Sequence, residues 1–302
     1  MAARTAFARH LSFACLALAA SASAHAGGMM FCDRPVKVTA AEQDRALRFS
    51  AVVKEELERS GATAAVVSRA GLDLARFGLR YSHAGVALKS NPNSPWSVRQ
   101  LYYACDDKRP RIFDQGMAGF VLGAEEASQG HLSVVLLPEA PGVALASAAL
   151  DERTPLALLA GEYSANAYAY STRFQNCNQW LIELMASAWG AGATARRDEA
   201  QAWLRERGYE AEPVNVGRAL VIAAHFVPLV HVSDHPDEDL RALTMRVSMP
   251  NSIENFLRRE APQARRLELC YNNSHIVIHR GWDALGAGCE PQPGDEVIAF
   301  SE

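Results

Sequence analysis

Apolar and polar positions along the first half of the chain follow two different periods. Between residues 40 and 60, apolar side chains recur at helical spacing and Gly61 closes the segment, which predicts an amphipathic helix. Shorter runs typical of β-strands follow at 64–68, 81–88, 97–104 and 131–137. The turn-rich segment 89–96 predicts that the strands on either side of it form a hairpin with a long loop.

The clearest helical pattern lies in the second half, at 176–190, where apolar residues recur at i, i+1, i+4, i+5 and i+8 before Gly190. Further segments predicted there are a helix at 198–207, a strand-like apolar run at 219–232, a helix at 252–260, and strands at 267–270 and 275–279. There is no internal repeat and no low-complexity linker. The mixture predicts an α+β fold, with a core over 27–205 and a C-terminal elaboration over 206–302 that belongs to the same globular unit.

The N-terminus has the pattern of a cleavable secretory signal. Arg4 and Arg9 precede an apolar run at 11–20, and small residues lead to a cleavage site after Ala26. The apolar run is about half of the ~20 residues that span a bilayer. The run at 219–232 is also short and contains two His and a Pro, so we interpret it as buried core. We therefore expect an exported, periplasmic protein without a transmembrane segment.

Charge and composition exclude one class of partner. The chain has 302 residues, 49% hydrophobic and 21% charged, with 30 Lys+Arg against 34 Asp+Glu. Loss of the signal, with two Arg and no acidic residue, changes the formal charge from −4 to −6. Phosphate binding needs an excess of clustered cations, and here Lys and Arg are outnumbered by Asp and Glu. We therefore expect neither nucleic acid nor an anionic lipid surface as a partner.

Export also changes how the cysteines are interpreted, because disulfides persist in oxidising compartments. Six Cys occur, and removal of the signal leaves Cys32, Cys105, Cys177, Cys270 and Cys289. An odd number leaves at least one thiol free. The simplest pairing is Cys32–Cys105 with Cys270–Cys289, which leaves Cys177 unpaired; spacing alone leaves each of the other four as the odd thiol open.

Local sequence favours Cys177 as a reactive thiol. Asn176 is a good N-cap, and Gln179 would complete a capping box, which places Cys177 at the first helical position. Unpaired backbone N–H groups and the helix dipole favour thiolate there. A small buried hydrophobe or a disulfide partner is the alternative interpretation of this residue.

A nucleophilic thiol needs a base, and His83 in the run Tyr81-Ser82-His83-Ala84-Gly85 is the candidate. The small residues next to it allow another backbone to approach closely. A lone His in a strand is otherwise a structural or surface residue.

The segment SHAGVA, followed some 90 positions later by NCNQW, resembles the circularly permuted branch of the NlpC/P60 papain-like superfamily. This resemblance covers roughly residues 75 to 190. The wider set YSHAGVAL, LYYACDD, RIFDQGMAGF and NCNQW is similar to an exported bacterial family known only as a domain of unknown function. The first resemblance implies a permuted papain-like core, with an antiparallel sheet packed on the helix that carries Cys177.

The same resemblance implies a cysteine-dependent hydrolase or acyltransferase that acts on an amide or ester, such as a cell-wall peptide or a lipid acyl group. Cys177 would be the nucleophile and His83 the base, with a polar residue on the next strand to orient the imidazole. Gln100 fits this role because a neutral acceptor fixes the ring tautomer, although a purely structural glutamine is the alternative. Gln175, Tyr81 and Tyr170 are candidates for oxyanion or cleft contacts, beside the Cys177 N–H.

The resemblance implies no cofactor, and the His pairs do not predict a metal site. His275 and His279 flank an Ile-Val-Ile strand, where they would lie about 13 Å apart, and His231 and His235 lie in a loop before Pro236. The rival to the enzyme is a non-catalytic, disulfide-stapled binding or assembly module on the same fold. Protein partners and oligomeric state are not indicated by the sequence.

Overall fold

The computed structural model describes residues 38–123, 128–190 and 196–300. Its strands, in chain order, are β1 (Ala64–Arg69), β2 (His83–Leu88), β3 (Ser97–Ala104), β4 (Arg109–Gln115), β5 (Gly130–Leu136), β6 (Glu162–Tyr163), β7 (Phe174–Gln175), β8 (Glu212–Asn215), β9 (Thr244–Val247), β10 (Arg265–Tyr271), β11 (His275–Arg280) and β12 (Glu296–Ala299). Its α-helices are α1 (Ala40–Arg59), α2 (Met117–Leu122), α3 (Glu139–Leu150), α4 (Thr154–Ala157), α5 (Cys177–Trp189), α6 (Arg197–Glu206), α7 (Gly217–Ala224), α8 (Asp237–Ala242) and α9 (Pro250–Glu260).

Eight strands form one sheet, in the order β12-β11-β10-β5-β1-β2-β3-β4, and each neighbouring pair is antiparallel. The predicted α+β class is thereby confirmed. β2 and β3 pair across the 89–96 loop, as the sequence predicts. Three of the eight strands come from 265–299, so the C-terminal segment extends the sheet that carries His83.

The sheet is covered by helices on both faces, because its strands alternate apolar side chains between two cores. One core packs Ala84, Val86 and Leu101 against α5, with contributions from α3, α6 and α9. The other packs Ala87 and Val98 against α1 and α2. β2 lies in the middle of this arrangement, with buried neighbours on both faces.

α1 begins where the sequence indicates. Thr39 and Glu42 form a capping box, in which the Glu42 backbone N–H donates to Thr39 Oγ1 at 3.3 Å and the Thr39 N–H donates to Glu42 Oε2 at 2.7 Å. The buried face of this helix includes Phe49 and Val53. The predicted amphipathic helix is therefore confirmed.

The apolar run at 219–232 is not the buried strand that the sequence indicates. Residues 217–224 form the short helix α7, and beyond it Phe226 is 80% exposed. Within α7, Val221 packs on a small satellite core while Ile222, on the outer side, is 64% exposed. Apolar composition predicted burial here, but α7 has only one packed side. No helix in the described part of the chain is long and apolar enough to cross a membrane.

The cysteine pairing is confirmed where the structure describes it. Cys270 and Cys289 form a disulfide across a sequence separation of 19 residues, and Cys105 is also disulfide-bonded. Cys177 is free and buried. Cys32, the predicted partner of Cys105, and the predicted signal at 1–26 lie outside the described residues.

Candidate active site

Cys177 is the first residue of α5, as the capping pattern predicts. Asn176 has an extended backbone, and its side chain accepts a hydrogen bond from the Gln179 backbone N–H at 2.8 Å. The reciprocal half of the predicted capping box is absent, because Gln179 Oε1 accepts no hydrogen bond. The Gln179 amide nitrogen donates instead to the carbonyls of Ala169 and Ser171 and to Glu183. The cap therefore rests on Asn176 alone.

The Cys177 thiol lies against the start of β2. It is 6% exposed, and hydrogen bonds from the backbone N–H groups of Ala84, Asn178 and Cys177 favour its thiolate form. Burial outweighs these donors and raises the pKa of the thiol to about 11. The helix position alone predicted a lowered pKa, and this direction is wrong for the buried thiol.

A second contact fixes α5 on β2 beside the thiol. Asn178 is buried, and its side-chain amide donates to the backbone carbonyl of Ser82 at 3.0 Å. Since Ala84 N–H points to the sulfur, two backbone groups that flank His83 are tied to the start of α5. The backbone on both sides of His83 is therefore tied to the start of α5, while the His83 ring itself contacts Gln100 and Phe120.

The His83 ring begins a chain of side-chain hydrogen bonds. Its Nε2 pairs with Gln100 Oε1 in a short hydrogen bond. The Gln100 amide in turn donates from Nε2 to Gln115 Oε1 at 2.7 Å, which fixes Gln100 with its oxygen toward the ring. His83 therefore carries its proton on Nε2, and Nδ1 has the free lone pair. Gln100 is thus the hydrogen-bond partner of the His83 ring.

Gln115, at the end of β4, is a residue that the sequence did not single out. Gly119, one turn into α2, leaves room for it, since a Cβ at Gly119 would lie 3.1 Å from the Gln115 amide nitrogen. The segment around Gln115 resembles a turn in the sequence, so no strand periodicity marked it. Strand pairing between β3 and β4 brings it to Gln100.

Arg69, at the end of β1, is a further neighbour that the sequence did not indicate. It is the cross-strand partner of His83, and its guanidinium lies 5.3 Å from the Phe120 ring and donates to the Gly123 carbonyl. Burial, and then the positive charge of Arg69, lower the pKa of His83 to about 3, against the opposing effect of Gln100. The imidazole is neutral at pH 7.

Tyr163 lies near enough to the thiol to interact with it electrostatically. It lies on β6, packs on the core that contains Cys177, and its ring centroid is 5.3 Å from that of Tyr103. Burial, and then the negative charge that Cys177 would carry as thiolate, raise the pKa of the Tyr163 hydroxyl well above its usual range. No periodic pattern marks this short strand in the sequence.

A buried carboxylate holds the segment that leads into Cys177. Glu183 on α5 accepts from Arg197 Nε at 2.8 Å, from Gln201 at 2.7 Å and from Gln175 at 2.7 Å. Arg197 also donates to the carbonyls of 171, 172 and 174. Because Gln175 directly precedes the N-cap, this network fixes the position of the thiol.

The three residues considered for oxyanion or cleft contacts are engaged elsewhere. The Gln175 amide donates to the Leu158 carbonyl and to Glu183. The Tyr81 hydroxyl donates to Glu268 at 2.6 Å, and the Tyr170 hydroxyl to the Tyr209 carbonyl at 2.5 Å. The donors at the sulfur are the backbone N–H groups of Ala84 on β2 and of Cys177 and Asn178 at the start of α5.

The histidines of the two paired motifs have separate environments. His231 stacks on Phe174 with ring centroids 4.4 Å apart, and His235 hydrogen-bonds the Asn166 carbonyl. His279 pairs with Asp295, whereas His275 contacts the Cys289 carbonyl. Within the described ranges, no group of three or more His, Cys, Asp or Glu side chains has the geometry of a metal site.

Comparison with known proteins identifies a family. A family model described as uncharacterised protein conserved in bacteria (DUF2145) matches residues 56–257, a range that includes His83, Gln100 and Cys177 and ends before β10. The chain has no significant match among curated proteins or solved structures. The match covers two thirds of the sequence, and the chain belongs to the DUF2145 family of bacterial proteins.

Proposed function

We propose that this protein is an exported cysteine-dependent hydrolase or acyltransferase that acts on an amide or ester, built on a permuted papain-like core. The observation that carries the proposal is the position of the Cys177 sulfur at the Ala84 N–H, one residue after a histidine whose ring is oriented by Gln100. Export agrees with the disulfide-bonded Cys105, Cys270 and Cys289, which suit an oxidising compartment.

The reaction would begin with proton transfer from the Cys177 thiol to Nδ1 of His83. The thiolate attacks the substrate carbonyl, and backbone N–H groups at the start of α5 stabilise the resulting oxyanion. Collapse of this intermediate expels the leaving group, which takes the proton from His83 and leaves an acyl group on the sulfur. Water or another acceptor then gives its proton to His83 and releases the acyl group.

Both groups are neutral at pH 7, because burial raises the pKa of Cys177 to about 11 and lowers that of His83 to about 3. Among the described residues no hydrogen bond joins the thiol to the ring, and the ring's partner is Gln100. Such contacts often tighten only when substrate binds. Displacement of Tyr163 would expose the thiol, lower its pKa toward the usual range and open a path for an acyl substrate.

A direct test is ester hydrolysis by the purified protein with short p-nitrophenyl esters. Wild type should show saturable turnover, while Cys177→Ala and His83→Ala should lose about 10²-fold or more. His131→Ala is the matched control, since His131 is a second histidine in the same sheet whose pKa burial lowers, to about 4, and which lies outside the candidate site. Activity that survives Cys177→Ala would reject the proposal.

The second candidate is a non-catalytic binding or assembly module on the same fold. It is favoured by the buried thiol with its raised pKa, which is also what a structural cysteine shows. Under this alternative Cys177→Ala keeps the fold and changes no activity, and no substrate acylates the sulfur. Thiol labelling across pH with iodoacetamide, with and without ester substrate, separates the two: only the enzyme should label faster when a substrate analogue displaces Tyr163.

A further inference from the structure

The most exposed apolar surface among the described residues is formed by α7 and the residues that follow it. Phe226 is 80% exposed and Ile222 is 64% exposed. Ala219, Ala223 and Pro228 are exposed beside them. A helix whose one side is packed normally presents polar side chains to water on the other side. An exposed apolar patch there marks a candidate interaction site.

The inner side of α7 is anchored, so the outer side is displayed on a fixed support. Val221 packs against the satellite core that includes Leu79 and Met245, and Ala224 is buried. Both sides of α7 are therefore apolar, and only the inner side is covered by other residues.

The charge pattern of the segment favours an anionic surface. No acidic residue occurs between Glu212 and Asp234, although Asp and Glu number 34 in the chain. Within this stretch Arg218 and His225 are both exposed. The net negative charge of the whole protein, on which the expectation against an anionic lipid surface rests, does not decide the matter. Screening limits the reach of each charge to about 10 Å at ordinary ionic strength.

The size of the surface argues against a second copy of the chain. A stable dimer buries about 800 Å² and 20 to 30 residues on each partner, whereas five exposed apolar side chains form this patch. A small apolar patch next to a cation fits insertion into the headgroup region of a bilayer, where apolar side chains enter and Arg contacts phosphate.

We propose that the surface formed by 218–228 docks the protein on an anionic phospholipid bilayer. Phe226 and Ile222 would enter the interface, and Arg218 would contact lipid phosphate. The proposal does not depend on the thiol chemistry, and it assigns a role to the apolar run whose exposure the sequence did not predict.

This docking surface is tied to the candidate site. Directly after it, the Leu229 carbonyl accepts from Ala165 at 2.8 Å, and the His231 backbone N–H donates to Ser164 Oγ at 3.1 Å. The His231 ring stacks on Phe174, which lies three residues before Cys177. A bilayer at α7 would therefore contact the same packed unit that holds Tyr163 and the start of α5.

The test is flotation of the processed protein, recovered from a secreting host, with vesicles of phosphatidylcholine alone or with added phosphatidylglycerol. Wild type should float with the anionic vesicles. Phe226→Ser should weaken partitioning about 10- to 100-fold, the effect of losing one large buried apolar side chain. Arg218→Ala should weaken it roughly fivefold, and only on anionic vesicles.

Leu156→Ser is the matched control, because Leu156 is 59% exposed and lies outside the patch; it should float like wild type. Thermal melts check that each variant is folded, as substitutions on an uncovered surface should allow. The proposal is overturned if wild type stays with the unbound protein, or if Phe226→Ser floats equally well. Sedimentation velocity that shows a dimer, lost in Phe226→Ser, would instead identify a second copy as the occupant.

Discussion

Replacement of Gln100 by glutamate should raise the pKa of His83, so that the imidazole becomes a cation at mildly acidic pH. In the wild type, Gln100 offers only a neutral oxygen to Nε2, while burial and Arg69 hold the pKa of His83 at about 3. A carboxylate at hydrogen-bond distance raises the pKa of a buried imidazole by about 1 to 3 units. The variant value should therefore lie near 4 to 6, equivalent to roughly 1.4 to 4 kcal/mol of coupling.

The assay is NMR titration of the His83 ring, followed through its carbon-bound protons between pH 3 and pH 8. His131 is an internal reference, because its own pKa, about 4, is set by burial and Arg80 and should not move. Gln100→Leu is the control for loss of the acceptor without added charge, and it should leave the pKa of His83 low. An unchanged pKa of His83 in Gln100→Glu would refute the assignment of Gln100 as the ring's partner.

Three further predictions concern stability. His83 has a lowered pKa in the folded state, so the unfolded chain binds a proton that the folded chain does not, and the unfolding free energy should fall by about 1.4 kcal/mol per pH unit as pH drops from about 6.5 to about 3. Urea titrations of His83→Ala should show a shallower dependence of the unfolding free energy on pH. An equal dependence in the variant would argue against the buried neutral ring. Arg197→Met leaves Glu183 buried without its cation, which should lower the unfolding free energy measured in urea by about 3 to 5 kcal/mol. The double variant that also carries Glu183→Leu should recover part of this loss. A double variant no more stable than Arg197→Met would contradict the account. Loss of the Cys270–Cys289 disulfide, which closes a loop with a separation of 19 residues, should lower the unfolding free energy by about 3 kcal/mol. Urea unfolding of the double alanine variant measures this without reductant, which would also act on the disulfide of Cys105, and an unchanged unfolding free energy would contradict the account.

Local signals in the sequence predicted the parts of the site that depend on neighbours along the chain. Asn176 caps α5 because a short polar side chain before an apolar helix satisfies its first N–H groups, whatever the rest of the fold. The pairing of β2 with β3 also follows from a turn-rich loop, and it brought Gln100 to His83 as the family resemblance implied.

Features that depend on tertiary packing were not predictable in the same way. The cap position of Cys177 favours thiolate, but burial reverses the direction of its pKa shift, and burial is set by distant residues such as Tyr163. Arg69 and Gln115 reach the site through strand pairing that no spacing encodes. The run at 219–232 has the composition of a core, yet only one side of α7 packs, on the satellite core that includes Leu79 and Met245.

The most direct measurement of the central claim is intact-mass spectrometry of the processed protein after brief exposure to an activated acyl ester, followed by peptide mapping of the acylated residue. The account predicts one acyl group on Cys177 in wild type, little acylation in His83→Ala, and normal acylation in His131→Ala. An acyl group on another residue, or an unmodified Cys177 when the ester is in excess, would contradict it.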